Sequence, residues 1–166
     1  TAGAGSAGIF TGQGLVNVGD AGTIRVLGAI DGVSADHTIF EVQGSLGKLE
    51  ARAGIANGEI RVGDRIGSIT VGVGGKNGVA GNLENVLITA GGLVPEKAKE
   101  ALDIASITVN GNVVNSTILA GYDVDGDAVN SSSQIGKVKV SGNWVASSLA
   151  AGIASVNGHF GDADDQ

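Results

Sequence analysis

Asp123-Val124-Asp125-Gly126-Asp127 is the stretch of this chain whose residue types and spacing best suit chemistry. Asp123, Asp125 and Asp127 present hard oxygen ligands at alternate positions, and Gly126 lets the backbone turn, a pattern that suits one Ca2+. The run departs from the EF-hand loop: its Gly is misplaced and no Glu follows at the twelfth position of that frame. The competing reading of the same residues is a solvated acidic turn. Gly158-His159-Phe160-Gly161-Asp162-Ala163-Asp164-Asp165 forms a second acidic stretch. A cation shared between the two loops is one arrangement, and a frayed acidic tail is the other.

Other chemistry-bearing patterns fall away on inspection. Gly3-Ala4-Gly5-Ser6-Ala7-Gly8 has dinucleotide-fingerprint spacing, but no strand precedes it and no helix follows. Gly74-Gly75-Lys76 lacks the first Gly of a P-loop and the Ser or Thr after its Lys. The two histidines, His37 and His159, sit in no nucleophile or metal motif. With no Cys there is no disulfide, thiolate zinc site or cysteine nucleophile. No carboxylate pair for glycoside cleavage can be placed from residue order, and no Arg or Lys lies within 123–127 to act as a base beside a cation. Asn115-Ser116-Thr117 and Asn130-Ser131-Ser132 are glycosylation acceptor sequences. Trp144, beside Asn143, reads either as a sugar-stacking platform or as a partly buried corner residue. No catalytic or cofactor-binding residue is expected.

The elements that must position these loops are repeats. Ile104–Gly121 aligns without a gap on Ile135–Gly152 at an offset of 31, with 8 of 18 positions identical. Partial copies lie upstream, at 65–71 with 81–91, and at 46–51 with 60–63; 24–26 and 40–42 look like an earlier, degenerate unit. Within each unit, runs such as Ile107-Thr108-Val109 and Val138-Lys139-Val140 alternate apolar and polar residues with period two. A short-stranded unit of about 20 residues that accepts inserts at fixed places points to an all-β parallel solenoid of about five coils. Stacking predicts four aliphatic ladders. They are Ile66/Ile104/Ile135, Ile69/Ile107/Val138, Val71/Val109/Val140 and Ile60/Ile88/Ile118/Leu149. An antiparallel sandwich also has short, evenly spaced strands, but does not explain the gapless repeat. Two inserts leave one corner: a short amphipathic helix near 95–103, and the loop at 122–134.

Composition sets the remaining limits. The 166 residues include 30 Gly and one Pro, are 42% hydrophobic, and hold only one Trp, one Tyr and three Phe. That suits a single domain with a small-residue aliphatic core. A net charge of −7 repels phosphate backbones, so no nucleic-acid partner is expected. No apolar run reaches the roughly 18–20 residues of a membrane span, so no membrane insertion is expected. The opening Thr1 and its Gly, Ala and Ser neighbours carry no signal-peptide pattern. The chain reads as a fragment of a longer one, with an irregular or degenerate first coil at 1–22, repeat coils at 23–152 and an acidic terminal loop at 153–166.

The unit shared by Ile104–Gly121 and Ile135–Gly152, the Ala120-Gly121-Tyr122-Asp123 junction and the Gly158/Phe160/Gly161/Asp164/Asp165 ending resemble repeats of large secreted or cell-surface β-helix proteins of bacteria. The resemblance spans roughly residues 60–166. It implies a right-handed parallel β-helix in an adhesin-like, extracellular chain.

The expected function is a non-enzymatic structural or adhesive extracellular module, with Ca2+ as its one candidate cofactor, at the acidic corner loops. A surface glycan or a protein is the expected partner, and the open ends of a solenoid invite end-to-end self-association. The alternative from another class is a carbohydrate-active or carbohydrate-binding β-helix of polysaccharide-lyase type. Against it, the outward residues Thr70, Thr108 and Lys139 form no acidic or basic row. A metal-free spacer is the third reading.

Overall fold

The period-two runs become strands because β-branched residues at alternate positions pack well on a pleated face. The computed structural model describes residues 10–11, 19–32, 38–92 and 102–152. Its strands are β1 (Phe10–Thr11), β2 (Ala21–Val26), β3 (Ala29–Asp31), β4 (Thr38–Val42), β5 (Leu46–Ala51), β6 (Gly54–Val62) and β7 (Ile66–Val71), then β8 (Leu83–Ala90), β9 (Leu102–Val109), β10 (Val113–Val114), β11 (Thr117–Ala120), β12 (Gln134–Val140), β13 (Trp144–Val145) and β14 (Ser148–Ala151). A front sheet runs β2-β5-β7-β9-β12, and the remaining strands form a back sheet. Among the described residues every strand pair is parallel.

The chain alternates between the two sheets, which makes it an all-β parallel solenoid of about four turns, marked by five front strands. No described residue is helical. Most of the helix expected near 95–103 lies outside the described residues, but its last two positions, Leu102 and Asp103, belong to β9. Leu102 pairs with Gln134, so ladder bonding to the next coil holds this residue extended.

All four expected ladders form in register. Ile66, Ile104 and Ile135 stack, as do Ile69, Ile107 and Val138, and Val71, Val109 and Val140. On the back sheet Ile60, Ile88, Ile118 and Leu149 form the fourth. In the interior coils these side chains are buried, with Ile60, Ile88, Ile104 and Ile118 at 0% exposure. Removing each from water contributes about 1.5–3 kcal/mol, set against the entropy of ordering the chain. In the last described coil the same columns open out, and Leu149 is exposed.

Between the sheets the corners are held by side chains. Asn57, Asn85, Asn115 and Ala146 occupy one stacked corner, all with φ between 46 and 53°. Asn tolerates this left-handed conformation better than most residues. The Asn85 amide donates to Asn57 Oδ1 at 3.0 Å, and the Asn57 amide to Asp31 Oδ1 at 3.2 Å. A second column stands where the chain enters the back sheet. There Asn82 Oδ1 accepts the Asn112 N–H at 2.9 Å, and Asn112 Oδ1 accepts the Asn143 N–H at 2.8 Å. At this corner Gly111 is required, since a Cβ there would lie 2.6 Å from the Gly81 carbonyl oxygen.

Candidate functional site

The corner at which the back sheet returns to the front sheet carries the chemistry-bearing side chains. After β11, Gly121 turns with φ of 97° and the chain leaves the coil as a closed loop. Its carbonyl accepts the Val129 N–H at 2.7 Å, and Tyr122 and Ala128 form an antiparallel bridge. Tyr122 is 1% exposed and anchors the loop to the stack.

The three expected cation ligands lie at the loop's outer end. One carboxylate organises the turn: Asp123 Oδ1 accepts the N–H groups of Asp125 and Asp127, each at 3.0 Å. Gly126, with φ of 89°, then lets the chain return, and the Asp123 N–H donates to the Asp127 carbonyl at 3.0 Å. Asp125 and Asp127 are exposed. Among the described residues no three carboxylate or imidazole side chains gather in a metal-holding group. A cation at this turn would draw on carbonyl oxygens and water beside the carboxylates, as oxygen-liganded Ca2+ commonly does. The second acidic stretch and both histidines lie outside the described residues.

The loop is tied down by the two coils before it. The Arg61 guanidinium on β6 donates to the Val124 carbonyl and pairs with Glu59 at 2.8 Å. Thr89 on β8 donates to the Asp123 carbonyl at 3.3 Å. The sequence shows no basic residue inside 123–127; the fold supplies one from 63 positions earlier.

Beneath the loop lies a group absent from the expected site residues. Gln134 pairs with Leu102 and Ile135 with Ile104, so Asp103 is the extra residue of a β-bulge. The bulge turns its carboxylate inward, where it is 0% exposed and neither oxygen has a hydrogen-bond partner. It rests on Gly92, where a Cβ would lie 2.2 Å from the Asp103 Cγ and where φ is +67°. Burial pushes the Asp103 carboxyl above the usual carboxylate range. The neighbouring Ser133 hydroxyl and the charge of Arg65 pull it back only in part, and Asp64 adds to the rise. Arg65 stands 3.8 Å from the Asp64 carboxylate, which accepts the Ser45 hydroxyl at 2.6 Å. Ser45, Asp64, Arg65, Asp103 and Ser133 thus form a polar column along this corner of the stack.

Trp144 takes the place of Val113 one coil later, as the repeat alignment requires. The residue is 38% exposed and its indole N–H donates to the Ser147 carbonyl at 2.8 Å, within its own coil. Of the two acceptor sequences, Asn115 lies exposed at its corner, whereas Asn130 is buried and its Oδ1 accepts the Ser132 N–H. No described helix is long and apolar enough to cross a membrane. Comparison with known protein families, curated proteins and solved structures finds no match.

Proposed function

We propose that this chain is a non-enzymatic structural module of adhesive type, displayed on or secreted from a bacterial cell. The coils serve as a stem and the corner loops make the contacts. One observation carries the reading: the corner side chains spend their hydrogen-bonding groups on neighbouring coils. The Asp31/Asn57/Asn85 and Asn82/Asn112/Asn143 columns both run along the stack and stiffen it. Two charged groups follow the same habit, Arg25 reaching Glu50 one coil on and Arg61 reaching the acidic loop, while Lys48–Glu50 and Glu59–Arg61 pair within their own strands. Burial alone would raise the Glu50 carboxyl, but Lys48 and Arg25 outweigh it and hold the pKa below its ordinary value.

In this reading Ca2+ at Asp123, Asp125 and Asp127 steadies the loop. Thermal unfolding in EDTA and in millimolar Ca2+, beside an Asp125→Asn/Asp127→Asn variant, tests it. A site at 100 times its dissociation constant adds about 2.7 kcal/mol, or about 5–10 °C for a chain of this length. The expected result is that rise in the wild type alone. Equal melting in both buffers refutes the Ca2+ role and leaves a metal-free stem.

A further inference from the structure

The outward face of the front sheet has a composition unlike the rest of the chain. Register places its side chains in two columns, Thr23/Lys48/Ser68/Ser106/Lys137 and Arg25/Glu50/Thr70/Thr108/Lys139; burial shows them pointing away from the core. Of the ten residues in these columns four are cationic and one is acidic, whereas the whole chain has ten cationic and 17 acidic residues. A protein of net charge −7 therefore carries a face of net charge +3.

Its arrangement is ordered along the stack. At one end Arg25 and Lys48 share Glu50, at 3.0 and 3.1 Å. At the other, Lys137 and Lys139 are exposed and have no ion-pair partner among the described residues; their ladder neighbours are Ser106 and Thr108. Between the two ends lie four hydroxyls, Ser68, Thr70, Ser106 and Thr108. With strands about 4.8 Å apart, Lys48 and Lys137 stand about 14 Å from each other.

We propose that this face is the docking surface for a linear acidic polysaccharide of polyuronate type, laid across the strands with carboxylates toward Lys137 and Lys139 and sugar hydroxyls over the Ser/Thr rows. The proposal rests on the adhesive reading above and adds to its corner loops a second contact surface, on the coils themselves. The ten positions divide into five charged and five hydroxyl-bearing side chains, with two lysines at one end unpaired among the described residues, which complements a polymer bearing both a carboxylate and free hydroxyls on each sugar. Duplex phosphates, one charge per about 1.7 Å, are far denser than one carboxylate per sugar and meet correspondingly more of the repulsion of the whole chain. A protein partner would find no aromatic or aliphatic anchor in either column.

Titration calorimetry with a defined oligouronate, in EDTA and low salt, tests the assignment on the full chain. Lys137→Glu/Lys139→Glu, and the milder Lys137→Gln/Lys139→Gln, are compared with Lys76→Glu, which alters an exposed lysine on the 72–82 loop. Circular dichroism confirms the fold of each. We expect binding that weakens with added salt, falls at least tenfold in both double variants and is unchanged in Lys76→Glu. Binding that persists undiminished in both double variants overturns the face while leaving adhesion through the loops. No binding by the wild type, or tighter binding of single-stranded DNA than of the uronate, overturns the proposal itself.

Discussion

Replacing Asp103 by Asn should stabilise the protein at neutral pH. An acidic residue is usually worth keeping, but this one places a carboxyl group at 0% exposure with neither oxygen hydrogen-bonded. Leaving a buried polar group unsatisfied costs about 1–3 kcal/mol, and more when it is charged. An amide of the same shape carries no charge, can donate toward Ser133, and leaves Arg65 with Asp64. The expected gain is about 1–3 kcal/mol, or about 2–12 °C in melting temperature at this chain length. The pH dependence gives the sharper test. Because burial raises the folded carboxyl above its ordinary value of 3.8, the folded state binds more protons than the unfolded one between 3.8 and the folded pKa. This residue's contribution is therefore most favourable below 3.8, is lost as pH rises through that window, and is flat above it. Denaturant melts of wild type and variant from pH 3 to pH 8 should diverge upward through the window and then run parallel. A variant less stable at neutral pH, or one whose advantage is equally large at pH 3, would refute the reasoning.

The left-handed corner column predicts effects of both signs. Ala146 sits at φ of 46° where Asn57, Asn85 and Asn115 occupy the earlier coils, so Ala146→Gly should raise stability by about 1 kcal/mol, read by denaturant melts. Asn85→Ala should lower it by about 1–3 kcal/mol, because the new residue takes up the backbone strain and Asn57 Oδ1 loses its donor.

Most of the architecture was legible because the last two units align without gaps. The offset of 31 put Ile107 over Val138 and Val113 over Trp144, and the pairing follows that alignment. The constant spacing from first to second half placed Ile60, Ile88, Ile118 and Leu149 in one column despite an eight-residue insert. The corner site was far less legible. Asp103 reads in sequence as the polar end of an amphipathic run, and only a bulge in the β9–β12 pairing turns it inward. Arg61 reaches Val124 across two coils of unequal length, which no fixed offset reveals. Thr70, Thr108 and Lys139 alone gave no charged row. The basic character of the face emerges only when Lys48, from the partial copy at 46–51, and Arg25, from the degenerate unit before it, are placed in register with them.

The central claim is that successive repeats stack in parallel register, and cross-linking tests it against a background free of Cys. Thr70 and Thr108 are outward neighbours on adjacent coils, and Lys139 follows one coil later. A Thr70→Cys/Thr108→Cys variant places its Cα atoms about 4.8 Å apart, within disulfide range, whereas Thr70→Cys/Lys139→Cys leaves them about 10 Å apart. Under mild oxidation of dilute protein, the first pair should close an intramolecular disulfide in high yield and the second should not. Free thiols in the first variant, or equal closure in both, would contradict the stacked parallel solenoid.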